Sequence, residues 1–154
     1  MLSRFELPLW RVREEEIGSG TRCLSCAILE FRYLVSMLTQ SENEELGLTQ
    51  EQEECHACGI DYLTFPIEDR AIPENVREWK QFIEQVSVYL KDGKTAAIHC
   101  RAGIGRSSLL ACSVLAHLGV NYNEAWSSIR LARGCNVPDT LEQRNFVKRL
   151  MDLD

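Results

Sequence analysis

The segment His99–Ser108, HCRAGIGRSS, constrains the fold of this chain more than any other. The short apolar run TAAIH leads into it and is typical of a buried central strand. A helical pattern from Ser107 to Leu118, ended by Gly119, follows it. A buried strand, a glycine-rich turn and a helix in this order predict a parallel sheet covered by helices.

Other patterns along the chain extend this prediction. The apolar runs YLVSML and DYLTF, at 33–38 and 61–65, predict strands. Helices are predicted at 49–58 from a Thr49/Gln52 capping box with Gly59 as C-cap, at 76–90 from apolar spacing ended by Gly93, at 123–133 and at 140–151. The acidic segment from Ser41 to Glu54 is interpreted as surface. We expect one α/β domain over residues 1–154, with a central, mostly parallel sheet of about four to five strands flanked by helices.

The glycine-rich turn has the composition of an anion site. Gly103 and Gly105 allow the turn to tighten so that backbone N–H groups converge at a helix N-terminus. Gly-Lys-Ser/Thr is missing, which excludes a nucleotide-binding Walker loop. Helix N-termini and nearby cations favour a thiolate over a thiol, so Cys100 is a candidate nucleophile. Arg106 can bind two oxygens of a phosphate at once, as a lysine cannot.

HCRAGIGRS resembles the H-C-x5-R-S/T signature of the protein tyrosine phosphatase superfamily. The resemblance implies that Cys100 attacks phosphorus to form a cysteinyl-phosphate and that Arg106 clamps the phosphoryl group. It implies a phosphate cradle made by the backbone amides of Arg101, Ala102, Gly103, Ile104, Gly105 and Arg106. Ser107 matches the hydroxyl residue that eases departure of the thiolate, and His99 matches the histidine that holds the loop and helps to tune the thiol. No cofactor and no metal are implied.

A cysteinyl-phosphate mechanism also needs an acid to protonate the leaving oxygen. FPIEDRAIP resembles the acid loop of compact dual-specificity phosphatases, and the match makes Asp69 the acid, with Glu68 as the alternative. Near the C-terminus, RGCNVPDTLEQRNF resembles another family segment. There Gln143 is a candidate for orienting water or supporting the loop, and Arg133 a candidate for facing the pocket or the substrate.

Seven cysteines include two Cys-x-x-Cys pairs, Cys23 with Cys26 and Cys55 with Cys58. Four such thiols could hold a tetrahedral zinc, but the helix and strand predicted around them favour free thiols, with a redox role as the remaining alternative. The N-terminus lacks the apolar core of a signal peptide, so reduced thiols in the cytoplasm are expected.

The expected activity is dephosphorylation of phosphotyrosine, and of phosphoserine or phosphothreonine, in a protein or peptide. Phosphate, sulfate and vanadate are the expected active-site ligands. The alternatives are an inositol or lipid phosphate phosphatase, which tends to carry more loop cations than Arg101 alone, and a non-catalytic phosphoprotein-binding module. A net charge of −6 argues against nucleic-acid or membrane binding, and no apolar run reaches the length of a membrane span. A monomer is expected.

Overall fold

Three parallel strands form the sheet in the computed structural model, which describes residues 31–152. Strand β1 (Tyr33–Ser36) lies between β2 (Asp61–Thr64) and β3 (Ala96–His99), and both pairings are parallel. The predicted α/β class with a parallel sheet is therefore confirmed. The predicted strand count was four to five, and the described residues supply three.

Six helices accompany the strands within the described range. They are α1 (Gln40–Glu45), α2 (Glu51–Ala57), α3 (Val76–Lys91), α4 (Arg106–His117), α5 (Tyr122–Arg133) and α6 (Leu141–Asp152). The last four agree with their predicted positions to within a residue or so. Helix α4 is buried nearly all round, because every residue from Arg106 to Leu115 lies in the interior of the domain.

The acidic segment differs from its prediction. Its first half is helix α1, which begins with a reciprocal capping box between Thr39 and Glu42, and Glu42 is buried rather than on the surface. Helix α2 has Gln50 as its N-cap, without a side-chain cap, so the Thr49/Gln52 capping box was wrong. A turn in which Glu51 N donates to Leu48 O leads into the helix, and it places the N-cap one residue later.

The two faces of the sheet pack into two cores, because successive side chains of a strand point to opposite faces. Val35 and Ile98 belong to the main cluster, which α3, α4, α5 and α6 complete. Leu34 and Ala97 belong to a smaller cluster with Cys55 of α2. No helix within residues 31–152 is long and apolar enough to cross a membrane.

All three strands end at the same edge of the sheet, where Ser36 is paired with both Thr64 and His99. The segments that follow are α1 after β1, the loop containing Asp69 after β2, and the turn that starts at Cys100 after β3. Ligands of open parallel sheets bind at this carboxyl edge. The topology thus brings three segments that are distant in sequence to one place.

Candidate active site

The turn between β3 and α4 folds around the Cys100 sulfur. Cys100 Sγ accepts a hydrogen bond from Gly103 N at 3.2 Å and lies 3.4 Å from Ser107 Oγ, and both cysteine and serine are buried. Gly103 has φ of +65°, a conformation that side chains other than glycine rarely adopt. The sequence therefore needs glycine here for the amide to turn back toward the sulfur.

Gly105, the N-cap of α4, is required for a different reason. A Cβ at this position would collide with Asp139 Oδ2, and it would lie 2.9 Å from Asp139 Cγ and 3.1 Å from Gln143 Nε2. The loop that joins α5 to α6 therefore packs directly on the backbone of the turn. Asp139 was not among the residues that the sequence singled out.

Arg106 is the most completely held side chain of the site, with 1% of its surface exposed. Its Nη1 donates to Glu42 Oε2 at 2.6 Å and to Ile67 O at 2.8 Å. Its Nη2 donates to Glu42 Oε1 at 2.8 Å and to Asp69 Oδ1 at 3.2 Å. Burial by itself would lower the pKa of Arg106, but the hydrogen bonds to Glu42 and the charges of Cys100, Glu42 and Asp69 raise it.

Glu42 is a site residue that the sequence analysis missed. Its hydrogen bonds to Arg106 are the largest effect on its pKa and hold that pKa below the usual 4.5, against the opposing effect of burial. The pattern Thr39-x-x-Glu42 could have predicted the start of a helix. Nothing local in the sequence indicates that this carboxylate meets an arginine 64 positions later.

The acid loop is held at both ends and exposed between them. Ile67 N donates to Met37 O at 3.2 Å, and Ala71 O accepts from Gln143 Nε2 at 3.1 Å. The Asp69 side chain is 59% exposed, yet its Oδ1 reaches Arg106. Glu68, the alternative acid, is exposed, and its carbonyl oxygen accepts a hydrogen bond from Ala71 N in the turn. The structure thus brings Asp69 to Arg106.

His99 lies behind the turn in a buried network. Its Nε2 is 3.0 Å from Glu51 Oε1 and 3.1 Å from Glu51 Oε2. Tyr62 donates its hydroxyl to Glu51 Oε2 at 3.2 Å, and burial, the largest effect, raises the pKa of Tyr62 to about 12. The sequence singled out His99 but neither its partner Glu51 on α2 nor Tyr62 on β2, which bonds to Glu51.

Gln143 and Arg133 both reach the turn. Gln143 is fully buried, and Thr140 binds both its backbone N–H and its side-chain Oε1 while its Nε2 bonds to Ala71 O. These contacts fit support of the acid loop better than orientation of water, because Oε1 and Nε2 each have a protein partner. The Arg133 guanidinium lies against Gly103, with Nη2 2.9 Å from where a Cβ would stand.

The remaining residues of the predicted cradle lie on the outer part of the turn. Arg101 and Ala102 are exposed and Ile104 is half-buried. Arg101 Nη1 donates to Glu45 Oε2 at 2.8 Å, an ion pair in which both side chains are well exposed.

The other cysteines form no site within residues 31–152. Cys55 is buried and Cys58 is exposed, whereas Cys23 and Cys26 lie outside the described residues. No group of three or more Cys, His, Asp or Glu side chains within that range could hold a metal ion. Burial, the largest cause for both thiols, raises the pKa of Cys55 and of Cys112 to about 12.

Comparison with known proteins agrees with this geometry. Residues 20–154 match the family model for the catalytic domain of dual specificity phosphatases. The chain belongs to the dual-specificity phosphatase family. The resemblance seen in HCRAGIGRS is thereby confirmed, and it extends over most of the chain.

Two curated proteins illustrate how similar this chain is to known phosphatases and related proteins. Human cyclin-dependent kinase inhibitor 3 is 31% identical over 97 residues, which is 62% of this chain and 45% of that protein. Mouse protein tyrosine phosphatase type IVA 3 is 32% identical over 77 residues, 49% of this chain and 44% of that protein. The chain thus spans less than half the length of these curated relatives.

A solved structure shares the fold. The crystal structure of kinase associated phosphatase, with its catalytic-site cysteine substituted by serine, superposes with a TM-score of 0.76 at 24% identity. The superposition covers 84% of this chain and 72% of that one.

Proposed function

We propose that the chain is a metal-independent protein phosphatase that hydrolyses phosphotyrosine, and also phosphoserine and phosphothreonine, through a cysteinyl-phosphate. One observation carries the proposal: Cys100 Sγ, the Arg106 guanidinium and the Asp69 carboxylate converge at the carboxyl edge of the sheet. A nucleophile, an oxyanion clamp and an acid are the groups that phosphoryl transfer to a thiolate requires.

The hydrogen bonds of Arg106 support a bidentate clamp. Glu42 and Ile67 O occupy both Nη1 positions and one position of Nη2, which fixes the plane of the guanidinium. Arg106 Nε is buried and has no hydrogen-bond partner among residues 31–152. Nε and the second Nη2 hydrogen lie on one edge of the guanidinium, so two phosphoryl oxygens can bind there. Asp69 would leave Nη2 when they do.

The reaction takes two steps in this proposal. In the first, the Cys100 thiolate attacks phosphorus; the P–S bond forms, the P–O bond of the ester breaks, and Asp69 gives its proton to the leaving oxygen. In the second, water attacks phosphorus; the Asp69 carboxylate takes a proton from the water, the P–S bond breaks, and phosphate leaves. Ser107, 3.4 Å from the sulfur, donates a hydrogen bond to the departing thiolate.

The test of this proposal is a comparison of Cys100→Ser with Cys112→Ser. The first variant should lose turnover of p-nitrophenyl phosphate while retaining vanadate binding, because only the nucleophile is removed. The second replaces a buried thiol of α4 and should keep its turnover. Substantial phosphatase activity in Cys100→Ser would reject the covalent mechanism.

The proposal also covers the domain organisation, the cofactor requirement, the location and the oligomeric state of the protein. It places the activity in one domain over residues 1–154, without cofactor, in a cytoplasmic monomer whose substrates are phosphorylated proteins or peptides. Inositol or lipid phosphates are less well supported, because Arg101, the one cation among the variable turn positions, is paired with Glu45. A panel of phosphopeptides and inositol phosphates assayed at equal concentrations distinguishes them. A non-catalytic binding module would not need Cys100, Arg106 and Asp69 together.

A further inference from the structure

A groove of about 240 Å³ opens between α5, α6 and the loop that joins them. Arg130 of α5 and Arg144 of α6 line it. Leu141 supplies apolar surface, because 77% of this large apolar side chain is exposed, whereas Trp126 is only 2% exposed. The groove lies outside the turn that holds Cys100, and the proposed mechanism uses neither arginine.

The charge of the groove contrasts with that of the chain. Both arginines are exposed, and no carboxylate within residues 31–152 forms an ion pair with either guanidinium. Asp139 also lines the groove, but its Oδ2 is turned against Gly105. Among residues 31–152, the groove therefore combines two cations that have no carboxylate partner with the apolar surface of Leu141, in a protein of net charge −6. A positively charged groove favours negatively charged partners. Such charge complementarity contributes more to selectivity and to the rate of encounter than to affinity.

The groove adjoins the proposed active site through one residue, Asp139. Asp139 forms part of its lining and packs on Gly105 of the turn. Gln143 comes just before Arg144 on α6, and its Nε2 holds the acid loop at Ala71 O. A residue bound at Cys100 and a segment bound in the groove would therefore lie on either side of Asp139.

We propose that this groove binds an acidic segment of the substrate, close in sequence to its phosphorylated residue. Glu or Asp side chains would pair with Arg130 and Arg144, and an apolar neighbour would cover Leu141. This assignment rests on the proposed phosphatase function and names the class of phosphoprotein on which the enzyme acts best.

The test compares two phosphopeptides that differ only by Glu→Gln changes beside the phosphorylated residue. The double variant R130A/R144A should lose roughly five- to tenfold in kcat/KM for the acidic peptide, as expected for two partly exposed ion pairs. It should change little for the neutral peptide and for p-nitrophenyl phosphate. The matched control K91A/R149A removes two exposed cations that do not line the groove, and it should leave the preference for the acidic peptide intact. Salt should weaken that preference in the wild-type protein.

Binding of the same peptides to Cys100→Ser, followed by fluorescence anisotropy, separates this inference from the proposed function. If the wild-type protein lacks turnover but the acidic peptide still binds more tightly than the neutral one through Arg130 and Arg144, the proposed role of the groove is supported and the phosphatase proposal fails. If R130A/R144A loses affinity and kcat/KM equally for the acidic and the neutral peptide, or loses neither, the proposed binding of an acidic segment in the groove is wrong. A protein dimer that R130A/R144A abolishes would also contradict it, because the occupant would then be a second copy of the chain.

Discussion

Glu42→Gln tests the least expected contact of the candidate site. Glu42 Oε2 and Oε1 accept from Arg106 Nη1 and Nη2 at 2.6 and 2.8 Å, and only 1% of the Arg106 surface is exposed. Hydrogen bonds to charged groups contribute about 1.5–3 kcal/mol each, and breaking a buried ion pair costs about 3–5 kcal/mol. Glutamine keeps one acceptor, so we expect the free energy of unfolding to fall by about 2–3 kcal/mol.

Two assays measure the effect of Glu42→Gln, one on stability and one on activity. With a slope of about 1–3 kcal/mol per M, the urea midpoint should fall by about 0.7–3 M. Because Arg106 would no longer be held in position to bind the phosphoryl group, kcat/KM for an aryl phosphate should fall on the order of a hundredfold. The control is Glu45→Gln on the same helix, whose ion pair with Arg101 is well exposed and should contribute less than about 1 kcal/mol. Equal effects of the two variants on stability and vanadate affinity would refute the reasoning.

The same contact gives a pH dependence with a definite sign. The pKa of Glu42 is lowered in the folded protein, so its contribution to stability is present above its unfolded pKa of about 4.5 and is lost as the pH falls through the lower folded value. The wild-type protein should therefore lose stability steeply below about pH 4.5. Glu42→Gln should show a shallower acid transition in urea titrations at a series of pH values. Parallel transitions would contradict the assignment.

Further predictions concern the acid, the turn and the buried thiols. Asp69→Asn should slow hydrolysis most for poor leaving groups, whereas Glu68→Gln should not; an equal loss for all leaving groups in Asp69→Asn would argue against its role as the acid. Gly105→Ala should destabilise the protein by about 1–3 kcal/mol, because its methyl group collides with the neighbouring carboxylate, and an unchanged urea midpoint would contradict the packing. Iodoacetamide at pH 7 should leave Cys55 and Cys112 unmodified by mass spectrometry, since burial raises both of their pKa values to about 12; rapid alkylation of either in the folded protein would disprove that protection.

The turn and its flanking elements could be predicted because their determinants are contiguous in the chain. A short, largely apolar run, two glycines and a helical pattern lie side by side from Thr95 to Leu118, and each favours a particular local conformation. Helix α3 could also be predicted, because the spacing of its apolar residues indicates which face of the helix is buried. Helix α1 escaped prediction because it is short and acidic and has almost no apolar period.

The sequence by itself determined the three strands, the helices from α2 onward and the glycine-rich turn that folds around Cys100, because these depend on neighbouring residues. Only the tertiary structure decided which distant side chains meet there: Glu42 and Asp69 at Arg106, Glu51 at His99, Asp139 at Gly105. A parallel sheet aligns the carboxyl ends of strands that are far apart in sequence, and the side chains beyond those ends become neighbours through the register of the strands.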